Sequence, residues 1–467
     1  MKETIIRIQK ISLKNFKNVE NGTIEMPDYS SEKKRNSLKA NTILGIYGQN
    51  GSGKTAVIEA LNIIKKLLSG KALHQQDTYD CINVQKDNAS IIVVLFFQAK
   101  NEKYLIEYQV TLKKSNNTKT TFVEKENITY RLFQENKWSQ KRTLSFIYRK
   151  DDFLLPKSLG NTFKVPSQIE SYTNYLVAKE LSHEQGTSFL FHEKTIENLP
   201  KALEKYDKKF AMFLELLKYF GSCDLFVIKS SRSGIISLNQ QIPLNFRMEN
   251  EGSTLSGDIA VNLFKPTVLT KESIGVFEKL IQRIRVVMKA IVPELELNTV
   301  NLGNQLLEDG TTGYLVELIS EKGDKSIPLR CESEGIKKLI SITGSMIEMF
   351  NKTNMCLAID ELDAGIFEYL LGELLTIFKE NAKGQLIFTS HNLRPLEVLD
   401  KESIIFTTIN PKNRYIRLTN IRPTNNLRDQ YIRNIVVGGQ KEEIYNMTNN
   451  YEIAYAFEKV GAYEQKQ

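Results

Sequence analysis

The sequence predicts an α/β fold: two halves of one open-sheet domain, an antiparallel β subdomain at the N-terminus, and a mostly helical insertion between the halves. Three observations carry this. An apolar stretch at 42–47 runs into Gly48-Gln-Asn50-Gly51-Ser52-Gly53-Lys54-Thr55, followed by Val57, Ile58, Leu61, Ile64 and Leu68 at helical spacing. A second apolar stretch, 355–359, ends in the adjacent carboxylates Asp360 and Glu361. Between the two, residues 150–300 change character and take on helical periodicity.

Residues 4–28 alternate apolar and polar positions (Ile6, Ile8, Ile11, Leu13, Phe16, then Ile24 and Met26), which makes a pair of half-buried antiparallel strands. The basic stretch 29–39, with Lys33-Lys34-Arg35, reads as a solvated loop. Strands return at 91–97, 104–112 and 126–133. Helices are expected at 169–181, 199–220 and 271–291. In the last, Phe277, Leu280, Ile281, Ile284, Val287, Met288 and Ile291 form the stripe of a helix packed into a core, and Pro293 ends it. That stripe is too short for a long coiled coil. Strand 314–319, helix 339–349, strand 355–359, helix 367–380 and strand 385–389 follow. The expected division is 1–149 and 306–435 for the two halves, 150–305 for the insertion and 436–467 for a tail.

At 467 residues the chain holds two or three domains, with ample core. No apolar run approaches the roughly 20 residues of a membrane span, and the first residues lack a signal peptide's apolar stretch; a cytoplasmic protein with no membrane partner is expected. Cys81, Cys223, Cys331 and Cys356 are scattered, with no C-x-x-C pair, which argues against a disulfide framework and zinc ribbons. The net charge of +8 permits nucleic-acid binding, but a diffuse excess over so long a chain reads as solvated surface.

The residue types at 48–55 are those that phosphate binding requires. Gly48, Gly51 and Gly53 let the backbone turn so that its N–H groups converge on phosphate oxygens. Lys54 adds a point charge, Thr55 offers a hydroxyl to Mg²⁺, and the following helix aims its positive end at the anion. Asn50, Ser52 and Ala56 complete the set, and ATP or GTP is the expected ligand. Asp360 stands where it would hold Mg²⁺ through water, and Glu361 where it would orient and deprotonate the attacking water. Adjacent carboxylates after a strand are often a solvated turn, but the phosphate loop upstream favours the catalytic reading. His391, at the end of the next expected strand, can reach the γ-phosphate.

In that order, Gly48 to Thr55, Ser333-x-Gly335, Asp360-Glu361-Leu362-Asp363 and Ser390-His391-Asn392 resemble the ABC-type ATPases of the SMC/RecF class. More closely, the chain is similar to the compact AAA family ATPases of prokaryotic defence operons, such as those of the Septu and PARIS anti-phage systems. Phe122-Val-Glu124-Lys-Glu126-Asn-Ile128 and Ser333-Glu-Gly-Ile-Lys-Lys-Leu339 look like those proteins' strand and signature segments. The resemblance implies an Mg-ATP hydrolase working as a head-to-tail homodimer or larger oligomer. ATP held by Lys54, Thr55, Asp360 and Glu361 of one subunit is then capped by Ser333 and Gly335 of the other, with Asp363 in the D-loop. It also implies that Gln98, after a buried-looking strand, senses Mg²⁺ and the γ-phosphate. Glu332-Ser333-Glu334-Gly335 departs from the usual Leu-Ser-Gly-Gly.

The defence relatives imply an effector, a nuclease or toxin from the same operon, acting in trans: residues 392–467 hold no His and no Asp-x-Asp for nuclease chemistry. DNA or a phage protein would be the sensed partner. Arg414, Arg417, Arg422, Arg428 and Arg433 form a candidate docking or nucleic-acid surface, with solvated strand edges as the plainer explanation. The rival reading is a RecF-like ATPase of DNA maintenance with no toxic partner.

Overall fold

The computed structural model describes residues 4–27, 42–73, 78–99, 102–115, 119–148, 153–154, 169–197, 208–250, 253–419 and 426–464. The basic loop expected at 29–39 lies outside them. In chain order come β1 (Thr4–Phe16), β2 (Val19–Glu25), β3 (Thr42–Tyr47), α1 (Lys54–Leu68), β4 (Asn88–Ala99), β5 (Glu102–Ser115), β6 (Thr120–Gln134) and β7 (Arg142–Tyr148). Next are α2 (Ile169–Gln185), α3 (Lys208–Tyr219), β8 (Leu225–Ile228), the hairpin β9 (Gln241–Asn250) and β10 (Ser253–Asn262), then α4 (Lys271–Ile291), β11 (Glu296–Leu306) and β12 (Thr312–Lys322). The chain continues with α5 (Glu334–Asn351), β13 (Cys356–Ile359), α6 (Glu368–Asn381), β14 (Gln385–Thr389), β15 (Ile404–Thr407), β16 (Tyr415–Ile416), α7 (Leu427–Val436) and α8 (Asn450–Glu464).

Two sheets frame the molecule. One is antiparallel, in the order β2-β1-β4-β5-β6-β7. The other runs β8-β13-β14-β3-β15-β16, parallel through its first five strands. Alternate residues of the parallel sheet point into two different cores, so both its faces are covered, the usual state of parallel strands. Leu44, Ile46, Val227, Ala358 and Ile387 join α1, α3 and the antiparallel sheet. Ile43, Tyr47, Phe226, Leu357, Leu386 and Phe388 join α4, α5 and α6. In α4 the expected stripe faces inward, with Phe277, Leu280, Ile281, Ile284 and Met288 buried.

The helices expected within 150–305 are present as α2, α3 and α4, although part of 199–220 lies outside the described residues. Strands accompany them. β8, from within that stretch, completes the parallel sheet beside β13, with Leu225 paired to Cys356 and Ile228 to Ile359. Buried on both faces, its four residues show no alternation for a period to reveal.

Beyond the end of β2, the free edge of β1 is satisfied by side chains. Asn354 accepts the Ile6 N–H at 3.1 Å and donates to the Thr4 carbonyl at 3.0 Å. Gln385 accepts the Ile8 N–H at 2.8 Å and donates to the Ile8 carbonyl at 2.9 Å, where the β1–β4 register shifts between Ile8 and Lys10. Two amides thus act as a substitute strand that fastens the antiparallel sheet to the starts of β13 and β14. Replacing Gln385 with Leu strands two buried backbone groups, each costing about 1–3 kcal/mol. Urea denaturation of Gln385→Leu is expected to show a loss of about 2–6 kcal/mol, with an unchanged denaturant slope.

Candidate nucleotide-binding and hydrolysis site

β3 delivers the chain to the glycine loop at the C-terminal edge of the parallel sheet, where open α/β sheets bind ligands. Gly48, Gly51 and Gly53 all have positive φ, at 151°, 73° and 95°. At Gly48 space adds to the demand, because a Cβ would lie 1.7 Å from Thr407 Oγ1. The loop is held from outside. Tyr415 donates to the Gly53 carbonyl at 2.7 Å, Arg414 donates to the Asn18 carbonyl at 2.6 Å, and Thr407 donates to Ser52 Oγ. Asn50 and Gly51 lie exposed at the tip, whereas Ala56 is buried beneath it. Gly53 caps α1 with no side-chain hydrogen bond, leaving the first N–H groups of the helix available to an anion.

Lys54 is buried and folds back on the loop, donating to the Gly48 carbonyl at 2.8 Å and the Gln49 carbonyl at 3.0 Å. Burial lowers its pKa, against the pull of Asp360, Glu361 and Asp363. Two strands away, Asp360 Oδ1 accepts from Thr389 Oγ1 at 2.6 Å and from Thr55 Oγ1 at 3.3 Å. Its other oxygen, Oδ2, is buried without a partner. A lone carboxylate oxygen beside a threonine hydroxyl is a donor set suited to Mg²⁺, a hard cation that takes oxygen ligands. Thr55 and Asp360 fit that ion.

Glu361 follows in a left-handed backbone conformation, φ 51°, uncommon for a residue with a Cβ. Its N–H donates to Thr389 Oγ1 at 2.7 Å, and its carbonyl accepts from Lys338 Nζ at 2.5 Å and from the Ala364 N–H at 3.1 Å. Asp363 works within the chain: its Oδ2 accepts the backbone N–H groups of His391 and Asn392 at 3.0 and 2.9 Å. This fixes the turn after β14 and leaves the His391 side chain exposed at the same sheet edge.

Ser333 is exposed and caps α5, its hydroxyl accepting the Ile336 N–H at 3.3 Å. Gly335 presses on the loop after β13, so that a Cβ there would meet the Gly365 carbonyl oxygen at 2.0 Å. Glu332, in place of the usual Leu, is buried and accepts from Ser320 at 2.6 Å and Lys322 at 2.9 Å. Despite its desolvation, those two donors hold its pKa below the usual carboxylate value.

Gln98 does not join the site. It lies on β4, opposite Ile5 of β1 and Lys103 of β5, at the end where β1 meets Asn354 and Gln385. That end adjoins the starts of β13 and β14, while Thr55 and Asp360 sit at the opposite edge. The strand before Gln98 is buried, as expected, but it belongs to the antiparallel sheet. The residue that the topology places next to Asp360 is Lys229, since the Asp360 N–H donates to the Ile228 carbonyl at 2.9 Å. Of the arginines of the candidate docking surface, Arg414 is buried on the Asn18 and Thr408 carbonyls, Arg417 holds the Glu25 and Glu402 carbonyls, and Arg428 pairs with Glu397 at 2.6 Å. Those three serve contacts within the chain; Arg422 lies outside the described residues.

Sequence reasoning missed Thr389, Lys338 and Tyr415, and gave Arg414 a surface role where it holds buried carbonyls. Only Thr389 carried a signal, as a hydroxyl at a strand end immediately before Ser390-His391.

A glycine loop, two carboxylates, an exposed helix N-terminus and a histidine turn, set on a parallel sheet beside an antiparallel one, define an ABC-type P-loop ATPase head. The chain belongs to the AAA ATPase domain family, which matches residues 7–394. No curated protein matches it. Among solved structures it is similar to the Smc head domain with an extended coiled coil bound to the C-terminal domain of ScpA from Pyrococcus furiosus, at 14% identity and TM-score 0.39, over 89% of this chain and 96% of that one. It is also similar to the SMC head domain from Thermotoga maritima, at 14% identity and TM-score 0.34, over 88% and 99% of the two chains. A third is the recombination mediator RecF with ATP, at 13% identity and TM-score 0.35, over 83% and 94%. Likeness at this level says nothing of role. No helix among the described residues is long and apolar enough to cross a membrane.

Thr389→Val keeps the side chain's shape and removes the hydroxyl on which Asp360 and Glu361 both depend. Steady-state ATPase assays are expected to show kcat reduced by about 10–100-fold, with thermal stability lowered by about 1–3 kcal/mol.

Proposed function

We propose that this protein is an Mg²⁺-dependent ATP hydrolase, cytoplasmic, that works as a nucleotide-gated clamp of at least two subunits. In this reading it acts in anti-phage defence, sensing DNA or a phage protein and controlling a nuclease or toxin partner in trans. The observation that carries the clamp is the N-terminus of α5. Ser333 and Glu334 are exposed, and no hydrogen bond among the described residues ties Ser333 to the chain's own phosphate loop. A helix end with a hydroxyl cap is a set of anion donors, and here they face outward. A second copy, head to tail, would seat them on the γ-phosphate.

In this mechanism the α1 N-terminus and Lys54 hold the phosphates, Lys54 exchanging its two loop carbonyls for phosphate oxygens. Mg²⁺, held by Thr55 and Asp360, would neutralise charge on the β and γ phosphates. Glu361 accepts a proton from the attacking water as that water's oxygen bonds to the γ-phosphorus and the bond to ADP breaks. His391, exposed at the same edge, is placed to donate to the γ-phosphate. Loss of that phosphate removes the anion that joins the subunits, and the clamp opens. The defence role rests on the resemblance of 122–128 and 333–339 to the defence ATPases.

The test is Glu361→Gln. It is expected to lower kcat by about 10²–10⁴-fold while ATP-dependent dimers, read by light scattering after gel filtration, persist or accumulate. Hydrolysis at the wild-type rate would remove Glu361 as the base. Co-purification with the product of the adjacent gene tests the effector: a stable complex with a nuclease or toxin supports it, and a bare ATP-dependent dimer that binds DNA, more weakly as salt rises, replaces it with a DNA-maintenance role.

A further inference from the structure

Lys338 is a buried ammonium to which the mechanism above gives no part. α5 carries two lysines in succession, and they go separate ways. Lys337 donates to Asn239 Oδ1 at 2.5 Å and to the Arg330 carbonyl at 3.5 Å. Lys338, 5% exposed, reaches out of the helix to the loop after β13 and donates to the Glu361 carbonyl at 2.5 Å. Burying a charge is costly unless hydrogen bonds and opposite charges compensate it. Burial pulls the Lys338 pKa down to about 8, against Asp363, Glu361 and Asp360, so the ammonium persists at neutral pH.

The place that this charge touches is unusual. The Glu361 backbone has φ 51°, a conformation that costs a residue with a Cβ about 1–2 kcal/mol and persists only where surrounding contacts impose it. Thr389 pins the N–H of that residue, and Lys338 and the Ala364 N–H pin its carbonyl. Of the three, only Lys338 comes from a helix. That helix begins at Ser333, and its Gly335 lies against Gly365, four residues beyond Glu361. The first turns of α5 and the loop 360–366 therefore touch at two points: a close glycine contact and a charged hydrogen bond.

We propose that Lys338 is a positioning residue for hydrolysis: it holds the Glu361 peptide in its strained conformation, so that the carboxylate is aimed at the water, and it joins the capping helix to the loop that carries the base. The inference rests on the hydrolytic reading above. Its consequence is reciprocal. A helix end seated on the partner subunit's nucleotide moves as one piece with this chain's own base, so capping one site sets the geometry of the other.

The experiment is a cycle of Lys338→Met and Glu361→Gln, singly and together, in the full chain, with kcat and KM for ATP, binding of a fluorescent ATP analogue, and thermal melting by circular dichroism. Lys338→Met is expected to lower kcat by about tenfold or more while KM and analogue binding stay within about twofold. Lys338→Arg, which keeps the donor and the charge, is expected to recover most of the rate. In the Glu361→Gln background Lys338→Met should add nothing, because a residue that acts through the base has no effect once the base is gone. Should Lys338→Met fail to fold, Lys338→Gln takes its place with the same expectations. A kcat within about twofold of wild type, or the same fold loss in both backgrounds, overturns the proposal. Wild-type turnover by Glu361→Gln alone would instead overturn the hydrolytic reading, and the two failures are separable.

Discussion

A single hydroxyl, that of Thr389, fixes the carboxylate of Asp360 and the backbone of Glu361. It can do so because of strand order. β14 lies between β3 and β13, so the last residue of β14 stands between the phosphate loop and Asp360. A threonine hydroxyl has one proton to give and lone pairs to accept with. The proton goes to Asp360 Oδ1, and a lone pair takes the Glu361 N–H. Two consequences follow from that division. Asp360 keeps Oδ2 free and buried, facing no donor, which is the state a cation ligand needs. Glu361 is held by its backbone, so its side chain is left for chemistry.

The start of α5 is fastened by charge as well as by packing. Where related signatures have a leucine, Glu332 is buried, and a buried carboxylate must find donors. Ser320 and Lys322 of β12 supply them. The entry to α5 is thereby tied to a different sheet from the one that carries the carboxylates. Three residues after Glu332, Gly335 meets Gly365 with no room for a side chain, and six residues after it Lys338 meets Glu361. Ser333 stands between these anchors, exposed, with its hydroxyl on the Ile336 N–H.

The parts that were legible in the sequence are those whose chemistry is contiguous. Gly48 to Thr55, Asp360-Glu361 and Ser390-His391 each put strand, turn and functional residue within one short stretch, and the structure places all three at one sheet edge. The illegible parts are those in which the partner is remote in sequence. Lys338 and Glu361 are 23 residues apart and Arg414 and Asn18 396 apart, with nothing local to announce either contact. Gln98 failed for a related reason. A buried strand ending in glutamine can be read from residues 91–98, but not which sheet it joins or which end of the molecule it reaches. β8 was hidden by the opposite circumstance, since complete burial erased the alternation that reveals strands elsewhere.

The two sheets are joined at both ends, and this bears on where the protein can move. At the edge away from the site, Asn354 and Gln385 lock β1 to the starts of β13 and β14. At the site edge, Asn18, Arg414 and Tyr415 lock the β1–β2 turn and β16 to the phosphate loop, with Asn18 donating to the Gly51 carbonyl. β13, β14 and β3 are thus fixed through hydrogen bonds to buried or half-buried backbone, which is expensive to break. The helix α5 and the loop 360–366 are bound to each other, but α5 presents its N-terminus to solvent. The loop is in turn tied to the sheet through the Ile228 carbonyl, Thr389 and the turn at 391–392, so α5 is linked through it to β8, β13 and β14. In the clamp proposed above, a second subunit would bear on the site through the exposed start of that helix.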